Sequence, residues 1–187
     1  MKISNLFKNV LAIGIIFSLM VSFSSCSKTK GCTDPKSENY NADADESDPT
    51  LCVYPRDKFI GNYVGSLVCP GALKGLFNFE TGYAFSITER AGGEVEQVNL
   101  GISVQGVPLT VSGTVDKATN ELKLVTDIPY QVEVAPGVMA PAVVKVNGTA
   151  KMKDDKNIEG TMLLSVVLTA NNATVGADAC PIKGVKQ

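Results

Sequence analysis

The sequence predicts an all-β fold, an antiparallel barrel or sandwich of about eight strands. Three observations carry that expectation. From Arg56 onward apolar and polar residues alternate in segments of strand length, which puts every second side chain on one face. Val, Ile and Thr are plentiful and 17 glycines punctuate the chain, whereas no long Leu/Ala/Glu/Lys pattern at helical spacing occurs. Clusters such as Ala91-Gly92-Gly93 and Asp154–Asn157 separate the segments as turns.

The chain of 187 residues begins with an export segment, residues 1–25. Lys2 and Lys8 supply the positive start, Val10–Val21 an apolar run, and Ser24 and Ser25 the small residues before a cleavage site. As a helix that run spans roughly 18 Å at ~1.5 Å per residue, short of a ~30 Å hydrocarbon core, so a cleaved signal is expected rather than an anchor helix. Phe23-Ser24-Ser25-Cys26 resembles the lipobox of bacterial lipoproteins, with Phe23 where Leu is usual. The resemblance implies that Cys26 is acylated and becomes the new N-terminus. It also implies a lipid-anchored protein of the bacterial outer membrane, with the membrane as a partner through the acyl chains. Residues 26–30 form a short tether. Its Ser27-Lys28-Thr29-Lys30 lacks the acidic residues often found on displayed lipoproteins of Bacteroidetes-type bacteria, which leans toward the periplasmic face.

Five cysteines are an odd number for an exported chain. With Cys26 given to lipid, Cys32, Cys52, Cys69 and Cys180 remain for two bridges in an oxidising compartment. Three connectivities exist. Spacing favours Cys32–Cys52, which brackets one compact segment, and Cys69–Cys180, at the two ends of the β domain.

Residues 31–55 read as a cysteine-bracketed module. Gly31, Cys32, Thr33, Asp34, Pro35, Asn39, Tyr40, Asn41, Ala44 and Cys52 resemble a G-C-T-D-P…N-Y-N…C unit common in exported Bacteroidetes proteins, with Ser37 in place of the usual Ala. Asp34-Pro35 and Asp48-Pro49 set turns. The carboxylates Asp34, Asp43, Asp45 and Asp48 raise the question of calcium. Asp43, Asp45 and Ser47 match the first, third and fifth places of an EF-hand loop, but Asp48 stands where glycine is needed and Tyr54 where a bidentate Glu belongs. A solvated acidic turn is the better account.

Residues 56–187 carry the strands. Phe59, Tyr63, Leu67 and Cys69 share one face of the first. Pro70–Glu80 reads as a loop whose Leu73, Leu76, Phe77 and Phe79 cap one end of the domain. Strands are then expected around Tyr83–Thr88, Val95–Val104 and Val107–Val115. After a turn at Asp116–Asn120 come Glu121–Thr126 and, as a separate strand, Ile128–Val134. Ala142–Lys153 and Ile158–Thr169 complete the count, with Gly148 and Gly160 among their inward positions. Asn171–Gly184 reads as a polar tail returning Cys180 to the domain. Asp57-Lys58-Phe59-Ile60-Gly61-Asn62-Tyr63, Cys69 and Asp178-Ala179-Cys180 resemble the lipocalin-like lipoproteins of the same bacteria. That resemblance implies a barrel, with Gly61-x-Tyr63 where lipocalins carry Gly-x-Trp; it implies no ligand class.

The chain has no histidine and no tryptophan, and its formal charge is −2. Without histidine there is no Ser-His or Cys-His catalysis and no imidazole metal site. Mild acidity gives no footprint for nucleic acid. No cofactor is implied. The expectation is a non-catalytic binding or structural module whose ligand is a small molecule (an apolar one included), a glycan or a protein. The alternative is a glycan-active hydrolase built on two carboxylates. One stretch stands out as a recognition loop, Ala135–Pro141, apolar and stiffened by Pro136 and Pro141, with Val138 and Met139 at its tip. It can equally fold over a barrel mouth.

Overall fold

The computed structural model describes residues 28–104 and 106–187. The export segment, Cys26 and Ser27 lie outside the described residues. Two compact units emerge. Among the described residues, one holds residues 28–34 together with Tyr40–Cys52; the other holds Pro35–Asn39 and Val53–Gln187. The five residues 35–39 of the cysteine-bracketed segment therefore belong with the β domain.

The smaller unit is stitched by short contacts. β1 (Lys30–Gly31) runs parallel to β2 (Glu46–Ser47), and a 3-10 turn follows at Pro49–Leu51. Cys32 is bonded to Cys52. A Cβ on Gly31 would sit 3.1 Å from Ala44 Cβ, so the motif's glycine answers a close approach. Asn41 Oδ1 accepts from Asp43 N, fixing the turn after Tyr40.

The larger unit is a closed eight-stranded meander: β3 (Gly61–Val68), β4 (Asn78–Glu89), β5 (Gln97–Val104), β6 (Val107–Asp116), β7 (Glu121–Ala135), β8 (Val138–Met152), β9 (Asn157–Leu168) and β10 (Thr174–Lys186). Each strand pairs antiparallel with the next, and β10 closes on β3. Barrel, not sandwich, is the outcome.

Three sequence readings are corrected. Glu121–Thr126 and Ile128–Val134 are one strand, because Thr126, Asp127 and Ile128 pair without interruption with Val146, Lys145 and Val144. Ala135–Pro141 is not a loop. Only Pro136 and Gly137 turn, Gly137 at φ 73°, and Val138, Met139 and Pro141 already belong to β8. The polar tail is the eighth strand, β10. Its inward positions include Gly176 and Gly184, where small residues hide the alternation: a Cβ on Gly184 would fall 2.4 Å from the Phe85 ring.

The barrel interior is filled. Its inward side chains, from Tyr63 and Phe85 through Leu100, Leu124, Met162 and Val166 to Ile182, keep at most 8% of their surface. A ligand-sized hollow would leave its lining accessible to water. Gly148 and Gly160 mark crowding rather than space, since a Cβ on Gly160 would sit 2.1 Å from the Thr149 carbonyl oxygen.

Candidate functional site at the open end of the barrel

Strand order gives the barrel two poles of different chemistry. At the first lie the chain entry Arg56–Ile60, the Glu89–Gln97 connection, the turns 117–120 and 153–156, and the C-terminus. This pole is charged and tied. Buried Arg56 reaches Glu89 at 3.1 Å and donates to the Glu94 carbonyl, with the Tyr54 ring 5.8 Å from its guanidinium. Lys36 pairs with Glu94 at 2.7 Å and Lys58 with Glu38 at 3.0 Å. Lys58 also donates to Asn120 Oδ1. Lys117 donates to the carbonyls of Pro35 and Ser37, and Ser37 is fully buried. Inside, Phe59 and Tyr63 plug the pole; the Tyr63 hydroxyl donates to the Phe59 carbonyl at 2.7 Å, and its ring stacks on Phe85. Burial pushes the Tyr63 phenol up to about 12.

At the second pole the ladders come apart. β6 and β7 pair only from Gly113–Leu124 to Asp116–Glu121. Because Val115 N donates to Glu96 O, the odd residues of β6 bond to β5, and the even ones face β7. Continuing the β6–β7 register five residues past Gly113 and Leu124 puts Pro108 opposite Pro129. Both prolines fall at sites where two N–H groups should cross, and neither has one. The ladder cannot continue. The cleft that results, about 410 Å³, is lined by Val107, Leu109, Pro129, Tyr130 and Gln131.

The other side of the β5–β6 hairpin is also parted from its neighbour. β4 and β5 pair only over Ser86–Glu89 and Val98–Gly101. Beyond that the Tyr83 hydroxyl enters and serves both backbone groups of Ser103, accepting from its N–H and donating to its carbonyl at 2.8 Å. Burial raises the Tyr83 phenol, and the Ser103 hydrogen bond opposes that shift. A second groove of about 490 Å³ runs across Ala84, Ser86, Ser103 and Leu109 on this side.

Loop 70–77 covers the rest of this pole, as its apolar residues imply; it is shorter than the expected Pro70–Glu80, because Asn78, Phe79 and Glu80 already belong to β4. Leu73 and Phe77 are buried, and Asp178 Oδ2 holds the loop through Leu73 N at 2.5 Å. Cys69 is bonded to Cys180. On the β3–β10 register the two face each other two residues past Leu67–Ile182. Their Cα atoms stand 4.3 Å apart, the close spacing of a non-hydrogen-bonded pair. Pro181 has no N–H for β3, so the disulfide closes the seam where hydrogen bonding stops.

The other candidates are dispersed. Asp48 caps the 3-10 turn, accepting from Thr50 N and Oγ1, and those bonds hold its carboxyl below the usual range. Asp45 accepts from Thr29 N. Asp34 and Asp43 join them in no cluster: among the described residues no three His, Cys, Asp or Glu gather as metal ligands. For the hydrolase alternative, the buried polar residues among those described are Ser37 and Arg56, with no carboxylate. The opposed prolines 108 and 129, Tyr83 and Tyr130 were not singled out by the sequence. The two prolines lie within alternating runs, and only an extension of the β6–β7 register places them at facing positions.

Compared with known proteins, the chain matches no family model, no curated protein and no solved structure.

Proposed function

We propose that this is a lipid-anchored lipoprotein of the bacterial outer membrane, on its periplasmic face, whose barrel binds an apolar or amphipathic small molecule without transforming it. The observation that carries the binding half is the cleft between β6 and β7 lined by Val107, Leu109, Pro129, Tyr130 and Gln131. It is an apolar slot in the barrel wall, with Tyr130 and Gln131 as its hydrogen-bonding groups and a filled barrel behind it. A site of that kind orients a ligand by few polar contacts and holds it by burial. Roughly eight methylenes at ~0.8 kcal/mol each would contribute about 6 kcal/mol, and association costs reduce that figure, so binding is modest and reversible.

The anchoring half is supported by cysteine use. Among five cysteines, Cys32, Cys52, Cys69 and Cys180 bond to one another, which leaves Cys26 no cysteine partner. Both bridges need an oxidising compartment.

Native mass spectrometry of the protein purified from its own membrane tests both halves. The expected mass begins at Cys26, carries acyl chains, and includes a small amphipathic molecule that is lost in Leu109→Trp, a cleft-filling variant that keeps the native β spectrum. A mature form starting elsewhere without acyl mass would sink the anchor. An apo mass in both proteins would sink the ligand.

A further inference from the structure

The barrel wall is split at the second pole, and the split leaves backbone groups bare on both sides. Among the described residues no ladder pair joins β6 to β7 beyond Gly113–Leu124. The parity follows from the bond that Val115 N donates to Glu96 O. On it, Thr110 and Ser112 of β6 turn their N–H and C=O groups toward β7, and Val125, Asp127 and Gln131 of β7 turn theirs toward β6. Pro108 and Pro129 share that parity and bring a carbonyl without a donor. The intervening residues of each strand serve the ladders to β5 and β8. Backbone N–H and C=O groups demand partners, and here two rows of them flank an apolar cleft lined by Val107, Leu109, Pro129, Tyr130 and Gln131.

We infer that this split takes in a short, uncharged apolar peptide as an extended strand; the inference rests on the cleft reading above and names the class of its ligand. Hydrogen bonding selects the class. A hydrocarbon chain would fill the cleft but leave both rows bare, whereas an extended peptide offers an N–H and a C=O to each side in turn. It would run antiparallel to one wall strand and parallel to the other, since β6 and β7 are themselves antiparallel. Charge selects the composition. Gln97–Val115 carries no charged residue. Beyond Leu124 the β7 carboxylates are occupied, Asp127 with Lys145 at 3.1 Å and Glu133 with Gly137 N at 2.7 Å. A charged peptide side chain would find no free counter-ion on either edge. The β6 edge, residues 107–112, extends roughly 17 Å at ~3.3 Å per residue, which seats about five residues.

The test adds a pool of blocked pentapeptides composed of Ala, Val, Leu and Phe to the intact protein, beside two comparators. One is the same pool with every second backbone nitrogen methylated; the other is decanol, which has no amide. The peptides are expected to slow hydrogen exchange at Thr110, Asp127 and Gln131 at least tenfold, and Leu109→Trp should abolish the effect. Methylation should weaken binding, read by native mass spectrometry, at least tenfold, because it removes every donor aimed at one wall strand. Decanol bound as tightly as peptide and lost in Leu109→Trp, with exchange at those three amides unchanged by peptide, would overturn the peptide inference and leave the apolar cleft standing. Peptide bound equally well by the parent and Leu109→Trp would place it elsewhere and overturn the inference too. If neither peptide nor decanol binds, the cleft reading falls and takes the inference with it.

Discussion

The two poles of one barrel solve the same problem in opposite ways. At the charged pole the last backbone groups find partners: Lys186 N donates to Lys156 O, Gln187 N to Asn62 O, and Val115 N to Glu96 O. Buried Phe59 and Tyr63 fill the interior there. At the apolar pole ladders are cut short, and substitutes stand in for them. A tyrosine hydroxyl serves Ser103, a disulfide holds β3 to β10, and a carboxylate pins loop 70–77. The difference teaches that closure and opening are written locally, in where prolines and cross-strand cysteines fall on the hydrogen-bonding parity of each ladder. A cleft in the wall is obtained without hollowing the core.

The largest effect expected concerns the seam. Cys69–Cys180 closes a span of 111 residues, for which denatured-chain entropy gives about 4–5 kcal/mol. The Cys69→Ala/Cys180→Ala protein should lose most of that in denaturant unfolding. Hydrogen exchange should show the loss concentrated at the apolar pole, with Ser66 and Lys183 losing protection before Val64 and Val185. Uniform loss along β3 and β10 would mean that the bridge acts on the whole barrel, and the two-pole description would fail.

Much of this was legible in the sequence, and the failures have a physical pattern. Alternation found β5, β6, β8 and β9 because Val, Leu, Ile and Met mark the inward face. It missed β10 because the ring of Phe85 and the Leu73 side chain fill the space a side chain would take at Gly184 and Gly176. It broke β7 at Asp127, whose carboxylate in fact faces Lys145 across the ladder at 3.1 Å. The cysteine pairing followed from spacing. The cleft could not, since Pro108 and Pro129 become a pair only through a register that two strands share. The proposed membrane address rests on Cys26 and residues 1–25, which lie outside the described residues.

The next effect belongs to the charged pole. Tyr63 is buried and its phenol is raised from 10.0 to about 12. The neutral phenol is the form the fold accepts, so its contribution is complete below pH 10 and is lost as pH rises toward 12. A shift of that size corresponds to about 2–3 kcal/mol. Unfolding free energy should fall between about pH 10 and 12, and Tyr63→Phe should flatten most of that slope while costing about 1 kcal/mol at neutral pH for the bond to Phe59. Tyr83, also raised by burial, supplies a smaller remainder at the other pole. If Tyr63→Phe leaves the alkaline slope unchanged, the plug is not what distinguishes the charged pole.

The smallest effect is the most direct test of why the poles differ. In Pro108→Val/Pro129→Val both missing N–H groups return at facing sites, and nothing in the register prevents β6 and β7 from zipping beyond Gly113–Leu124. Two new ladder bonds at that pair, each worth about 0.5–1.5 kcal/mol net, are offset by the greater freedom of the unfolded chain once proline is gone. A net gain of about 1 kcal/mol is expected. The two substitutions should be non-additive, because either proline alone still blocks one of the two crossing bonds and keeps its ring between the strands. Hydrogen exchange should then slow at Thr110 and Asp127, which face the cleft on the same parity, and any ligand held by Val107, Leu109 and Tyr130 should be lost with the cleft. Equal exchange in parent and variant would show that the strands are held apart by something other than proline, and the account of the open pole would have to start from the Tyr83–Ser103 side instead.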